Sequence, residues 1–211
     1  MRCIIISGSP ETDAEFIRKT VVDTDFVICA DNGILYAQQA GVTPDLIVGD
    51  FDSYIGTEFP DCEKITLNPQ KDDTDTVHSV DIAIERGYGD IVILGALGGR
   101  IDHTFANISA LQYIQSKGGR GVLLSETESV QFLPEGEYEF IGYKDKVFSL
   151  FPFGCNEVCV SYKGAFYPLE KYNLKSSVPM GVSNVFVSDK AEIIIYDGNA
   201  ILIINLLEHI I

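Results

Sequence analysis

Short apolar runs alternate with amphipathic ones through the first 125 residues. RCIIIS (2–7), FVICA (26–30), DLIVG (45–49), KITLN (64–68), DIVILG (90–95) and GVLLS (121–125) read as strands. Their apolar positions are continuous rather than alternating, which is the mark of strands buried on both faces in a parallel sheet. Helical spacing fills the gaps at 11–22, 33–40, 74–86 and 103–117. In TDTVHSVDIAIER, Val77, Val80 and Ile84 recur at helical intervals and Gly87 follows as a stop. This alternation predicts a doubly wound α/β layer.

The pattern changes after about residue 126. SVQFL, EYEFIG, KVFSLFPF, EVCVSYKG, NVFVS, AEIIIYD and AILIINLL read as short strands, and no helical pattern remains. PEGE and YDGNA have the composition of hairpin turns, and GAFYPLEKYNL that of a loop. The expectation is an α/β domain, with a mostly parallel sheet, over residues 1–126, followed by an antiparallel β-sandwich domain over 127–211.

Composition narrows the partners. Fifteen basic against 31 acidic residues give a net charge of −16, which disfavours nucleic acid and anionic membrane surfaces and favours a small cationic substrate. Five cysteines, Cys3, Cys29, Cys62, Cys155 and Cys159, are an odd number, and CIIISG is too short for a signal segment. A reducing cytoplasm is expected. Cys155 and Cys159 have no second Cys/His pair with which to build a zinc site. The longest apolar stretch, near the C-terminus, is broken by Asp197, Gly198 and Asn199, so no membrane span is expected.

The candidate chemistry sits where strands end. In LIVGDFDSYI, Asp50 and Asp52 leave an apolar strand one residue apart. Two like charges about 4 Å apart repel by roughly 4 kcal/mol at an effective dielectric near 20. Other strands deliver acids to the same edge: Asp31 after FVICA, Asp72, Asp73 and Asp75 after KITLN, and Asp102 after DIVILG. One acid in such a place is an ordinary helix cap, but GDFDS and KDDTD supply a surplus. A divalent cation offsets the repulsion, and Mg²⁺ takes one or two carboxylates together with phosphate oxygens. Asp50, Asp52, Asp75 and Asp102 are the expected metal ligands. Arg100 and Lys71 are expected to grip phosphate, and Gly98-Gly99 to let a ligand approach the backbone. No Walker A or GxGxxG pattern is present, and SGSP at 7–10 is a weak phosphate loop.

In this order the motifs resemble the thiamine pyrophosphokinase family: Ala30-Asp31-Asn32-Gly33, GDFDS at 49–53, KDDTD at 71–75, and GGRIDH at 98–103 followed by Asn107. The resemblance covers essentially the whole chain. It implies an α/β domain followed by a β-sandwich, and transfer of the pyrophosphoryl group of ATP to the hydroxyl of thiamine. It implies that Asp50, Asp52, Asp75, Arg100 and Asp102 are catalytic, with Asp75 or Asp102 as the proton acceptor. Asp31, Asn32, Gly33, Lys71 and Asp72 would serve the nucleotide pocket, as would Thr74, Gly98, Gly99, His103 and Asn107. Ser183 and Asn184 would contact thiamine, and the site would lie near the interface of a homodimer.

Three departures stand out. Asn32 replaces a glycine; asparagine tolerates left-handed backbone better than most residues. Val185 follows Ser183-Asn184 where the family has Glu. The chain has no Trp, and Tyr167 and Tyr172 are the aromatic stand-ins. A phosphatase of the haloacid dehalogenase type would use a DxDx[TV] motif, but here the motif follows the third strand and Tyr54 takes the last place. A pure cation-binding module would not place Arg100 beside its acids. Asp52→Asn is expected to fold normally, by circular dichroism, and to lose most turnover. A near-wild-type rate would remove Asp52 from the metal set.

Overall fold

The computed structural model describes residues 1–50, 60–68 and 74–207. The chain divides into two compact units, Met1–Glu126 and Thr127–Ile211.

The first unit runs β1 (Arg2–Ile6), α1 (Ala14–Thr20), β2 (Phe26–Ala30), α2 (Gly33–Ala40), β3 (Leu46–Gly49), β4 (Glu63–Thr66), α3 (Asp75–Glu85), β5 (Asp90–Leu94), α4 (Ile101–Ser116) and β6 (Arg120–Leu124). Its strands lie in the order β6-β5-β1-β2-β3-β4, and every pairing is parallel. The apolar runs follow from this. Ile4, Ile6, Val27, Cys29 and Ile47 join Ile17, Ile34 and Ala37 of α1 and α2 in one core layer. The alternate residues Cys3, Ile5, Ile28, Leu46 and Val48 are buried too, and α3 packs against β1, β2 and β3. The residues of these inner strands therefore need apolar side chains, whichever way they point. β4 departs from the expectation for KITLN: it is the edge strand, with Glu63, Lys64 and Thr66 exposed, so it is not buried on both faces. Strand order reverses at β1, where the chain has built β2, β3 and β4 on one side and then places β5 on the other. A crevice at the carboxyl ends of β1 and β5 results.

The second unit contains β7 (Glu128–Leu133), β8 (Gly136–Ile141), β9 (Val147–Pro152), β10 (Glu157–Lys163), β11 (Leu169–Lys175), β12 (Asn184–Val185), β13 (Lys190–Asp197) and β14 (Ala200–Asn205). They form two layers, β12-β9-β14-β7 and β11-β10-β13-β8, antiparallel throughout. One core joins them. Phe148, Leu150, Phe186 and Leu202 from the first layer and its β12 side meet Phe140, Val160, Tyr162 and Ile193 from the second. Phe186 stacks on Phe148 with ring centres 4.3 Å apart.

Three local expectations are corrected. PEGE and YDGNA are not hairpin turns: β8 pairs with β13 and β14 with β7 and β9, so both turns carry the chain from one layer to the other. A short turn does not require its flanking strands to pair; here each strand has a better partner within its own layer. GAFYPLEKYNL is not all loop, since its second half forms β11. That strand is mostly exposed, and an edge strand with one buried residue lacks the alternation that would announce it. NVFVS supplies only the two-residue β12.

The sandwich core contains one polar defect. The Tyr162 hydroxyl is buried with no hydrogen-bond partner among the described residues, and burial pushes its phenol well above the usual tyrosine range. An unmet buried hydroxyl costs about 1–3 kcal/mol. Tyr162→Phe is therefore expected to raise stability by about 1 kcal/mol, read from chemical unfolding followed by circular dichroism. A fall of that size would mean the hydroxyl is satisfied.

Candidate active site

A cavity of about 440 Å³ opens at the carboxyl ends of β1, β2 and β5. Four segments line it: Ser7–Pro10 after β1, Ala30 and Asp31 after β2, Thr74–Thr76 at the start of α3, and residues between Gly95 and Arg100 after β5, with His103 and Asn107 of α4. This is the place where an open α/β sheet binds ligands.

The wall is built by two loops bonded to one another. Ser7 N donates to Leu94 O at 2.8 Å and Ser9 N to Gly95 O at 2.9 Å, prolonging the β1–β5 pairing beyond the strands. Ser9 Oγ donates to Leu97 O at 2.6 Å. Gly99 N donates to Glu11 Oε1 at 3.3 Å. Asn107 is buried and donates from Nδ2 to Ala96 O at 2.8 Å, which holds the same loop from the α4 side. Gly98 and Gly99 have φ of 84° and 66°, a region that excludes most side chains.

The turn after β2 differs from expectation. Asn32 has φ −65° and ψ −6°, so its backbone is right-handed and no glycine is needed. The left-handed residue is Asp31, at φ 46°. Its N–H is tied to Val48 O at 2.8 Å. A non-glycine residue held there costs about 1 kcal/mol or more, and such positions gather at functional sites. Gly33 is required for another reason: a Cβ would stand 1.8 Å from Ile6 O, so the glycine lets α2 lie against β1.

Asp75 opens α3 and lines the cavity. Thr74 caps that helix, accepting from Val77 N at 3.3 Å, and Ser79 Oγ donates to Asp75 O at 2.8 Å. Arg100 lines the cavity mouth. Its guanidinium makes a two-pronged bond to Asp102, from Nε at 3.1 Å and from Nη2 at 2.6 Å. Asp102 also accepts from His103 N at 3.0 Å. The Arg100 bond, then the His103 amide, hold the Asp102 carboxyl below its usual range. Both partners are exposed, and an exposed ion pair is weak, so the guanidinium can be redirected to an arriving phosphate at little cost.

The cavity therefore gathers Asp31, Thr74, Asp75, Gly98, Gly99, Arg100, His103 and Asn107. Asn32, Gly33, Asp50 and Asp102 are described but are not among the residues lining it. Asp52, Lys71 and Asp72 lie outside the described residues. Among the described residues no three Asp, Glu, His or Cys side chains form a metal cluster. SGSP at 7–10, set aside in the sequence as a weak phosphate loop, lines the cavity with all four residues, and Thr76, not singled out in the sequence, lines it too.

The residues expected to meet thiamine lie in the second unit. Asn184 is buried; its Nδ2 donates to Tyr167 O at 2.8 Å and its Oδ1 accepts from Tyr167 N at 3.0 Å and Val185 N at 2.9 Å. It thus holds the segment bearing Phe166 and Tyr167, which are 62% and 63% exposed and meet edge to face at 4.9 Å. Ser183 has a left-handed φ of 57° and donates its N–H to Ser149 Oγ at 3.0 Å. Tyr172, on β11, donates to Met180 Sδ at 3.7 Å. Phe166 was not singled out in the sequence.

Two family models match the chain. Residues 17–123 match the thiamin pyrophosphokinase catalytic domain, and residues 134–198 match the thiamin pyrophosphokinase vitamin B1 binding domain. The chain belongs to the thiamin pyrophosphokinase family. Among curated relatives, the thiamine pyrophosphokinase of Bacillus subtilis is 26% identical over 205 residues, covering 94% of this chain and 96% of its own. Thiamin pyrophosphokinase 1 of Caenorhabditis elegans is 26% identical over 194 residues, covering 86% and 80%. The solved B. subtilis thiamine pyrophosphokinase superposes with a TM-score of 0.87 at 24% identity over 97% of this chain and 99% of its own. The Candida albicans enzyme gives 0.77 at 16%, over 97% and 88%. At these identities the superpositions establish the fold. The family assignment makes the chain an enzyme, a transferase that passes the pyrophosphoryl group of ATP to thiamine.

The Arg100–Asp102 geometry carries a pH prediction. A carboxyl with a lowered pKa is charged, and its ion pair formed, at neutral pH; the pair is lost as pH falls through that lowered value. Followed by carboxyl NMR, Asp102 is expected to titrate below the ordinary carboxylate range, and to return to it in Arg100→Gln. An unchanged midpoint in that variant would show that Arg100 does not hold Asp102 in solution.

Proposed function

We propose that ATP lies with its phosphate chain in the cavity of the first unit and that Asp75 and Arg100 work directly on the transfer. The observation that carries this is their meeting, with a glycine turn and a helix N-terminus, at the strand-order reversal of a chain matched to the family's catalytic domain. The thiamine hydroxyl forms a bond to the β-phosphorus while the bond from that phosphorus to the α,β-bridging oxygen breaks, and AMP departs. Arg100 supplies charge to phosphate oxygens as the bond breaks. The hydroxyl proton needs an acceptor. Asp75 is the better of the two expected ones, because it lines the cavity, whereas Asp102 lies outside the lining and the Arg100 bond makes its carboxylate a weaker base.

The donor set suits Mg²⁺. Asp75 lines the cavity and Asp50 follows β3, both are hard oxygen donors, and Mg²⁺ completes its shell with phosphate and water rather than with a protein cage. Asp50, Asp52 and Asp75 are the residues that would hold it; Asp102 is the weakest of the four, being occupied by Arg100. When bound, the ion would neutralise phosphate charge.

For thiamine, a flat cationic molecule, the support is the aromatic pair Phe166–Tyr167, kept in place by Asn184 and flanked by Ser183, in a segment matched to the family's vitamin B1 binding domain. Asn184 acts here as a positioning residue. A homodimer with its site near the subunit interface is part of this reading, and rests on the resemblance. All five cysteines are free, which suits a reducing cytoplasm. No described helix is long and apolar enough to cross a membrane.

Incubation of purified protein with thiamine, ATP and Mg²⁺ should yield AMP and thiamine diphosphate in equal amounts, with neither formed in excess EDTA. ADP with thiamine monophosphate would show attack at the γ-phosphorus and overturn the proposed register.

A further inference from the structure

Ser7 and Thr76 are 5% and 8% exposed, and both line the cavity. Their hydroxyl oxygens lie 2.9 Å apart, and either can be the donor. A hydroxyl carries one proton and two lone pairs. Two hydroxyls therefore bring two protons, and the bond between them uses one. Neither oxygen has a further partner among the described residues. One donor proton is left over, on a side chain that is largely buried and lines the cavity. A ligand oxygen that takes this proton replaces a cavity water at little cost, and in a fixed geometry.

The surroundings set the charge of that acceptor. Thr76 is the second residue of α3, an eleven-residue helix whose positive end faces the cavity. Arg100 lines the same cavity. Donors and positive charge together select an anion. The carboxylates of Asp31 and Asp75 in the same cavity reject a bare one, and admit a phosphate chain that brings a divalent cation with it.

Both hydroxyls are rigidly placed. Ser7 is tied to β5 through its N–H on Leu94 O, at 2.8 Å. Thr76 lies in a first turn fixed by the Thr74 cap and by Ser79 on the Asp75 carbonyl. The hydroxyl pair also ties α3 to β1, so the donor and the Asp75 carboxylate beside it are set by the same contact.

We propose that the Ser7–Thr76 hydroxyl pair donates its second proton to a non-bridging oxygen of the nucleotide's phosphate chain. The proposal rests on the ATP reading above and adds a phosphate contact that carries no charge of its own.

The test uses the full-length enzyme and its Mg²⁺ complexes with ATP and with inorganic triphosphate, measured by calorimetry, together with kcat and KM for both substrates. Ser7→Ala combined with Thr76→Val removes both protons. It is expected to weaken ATP and triphosphate alike by about tenfold or more, the usual loss for a hydrogen bond to a charged group, and to leave the KM for thiamine in place. Thr76→Val alone should cost less than the double change, because the Ser7 hydroxyl is then free to donate. Thr76→Ser, which keeps both hydroxyls, should restore triphosphate binding. A contact that only packs α3 on β1 would instead lower the melting temperature and leave triphosphate affinity unchanged, and that result overturns the proposal. Ser7→Ala with Thr76→Ala adds no bulk and replaces the first double variant if that one does not fold. If wild-type enzyme makes no AMP from ATP and thiamine, the functional reading fails. If it does, and the double variant binds triphosphate as wild type does, the hydroxyl pair alone has been misassigned.

Discussion

β1 hydrogen-bonds to β2 along one edge and to β5 along the other, all three running the same way. From that two-sided pairing the cavity follows. The chain leaving β1 has helices and loops diverging to its left and right, so the space beyond Ile6 is not filled by the next connection. The loops that border this space are then bonded to each other, Ser7 to Leu94 and Ser9 to Gly95, and cannot collapse into it. Shortening β1 or breaking its fit to α2 at Gly33 would remove the floor on which every cavity residue stands.

Electrostatics explains why the acids sit here without unfolding the edge. The chain ends of β2 and β3 and the start of α3 all present carboxylates. Asp75 lies at a helix N-terminus, where negative charge is favoured, and Asp102, at the start of α4, has both Arg100 and the His103 amide. The Arg100–Asp102 pair is exposed at both ends, so it stores a guanidinium at the cavity mouth without binding it tightly. A ligand bearing phosphates and a divalent ion supplies the remaining compensation.

Most elements of both units were legible from period alone. Continuous apolar runs such as CIII and FVICA can only be buried on both faces; the helix at 74–86 was legible too, but its buried stripe is Thr76, Ser79, Val80 and Ala83, with Val77 and Ile84 half-buried at its margin. β11 was not legible, because LEKYNLK buries a single leucine and its strand character comes from pairing with β10. The hairpin reading of YDGNA failed for a related cause: local turn chemistry does not say which strands will pair. At the site, acids and glycines announced themselves by surplus and spacing. Ser7 and Thr76 did not, since a serine and a threonine 69 residues apart have no relation until β1 and α3 are packed.

By itself, then, the sequence determined that a parallel α/β layer precedes an antiparallel one, that carboxylates project from strand ends, and to which family the chain belongs, because periodicity and short motifs are local properties of the chain. Only the tertiary structure decided that Asp31 rather than Asn32 is the left-handed residue of its turn, that Asn184 holds the Phe166–Tyr167 segment, and that two buried hydroxyls face one cavity. Each of these depends on contacts between residues far apart in the chain, and such contacts exist only once strand order and packing have chosen the neighbours.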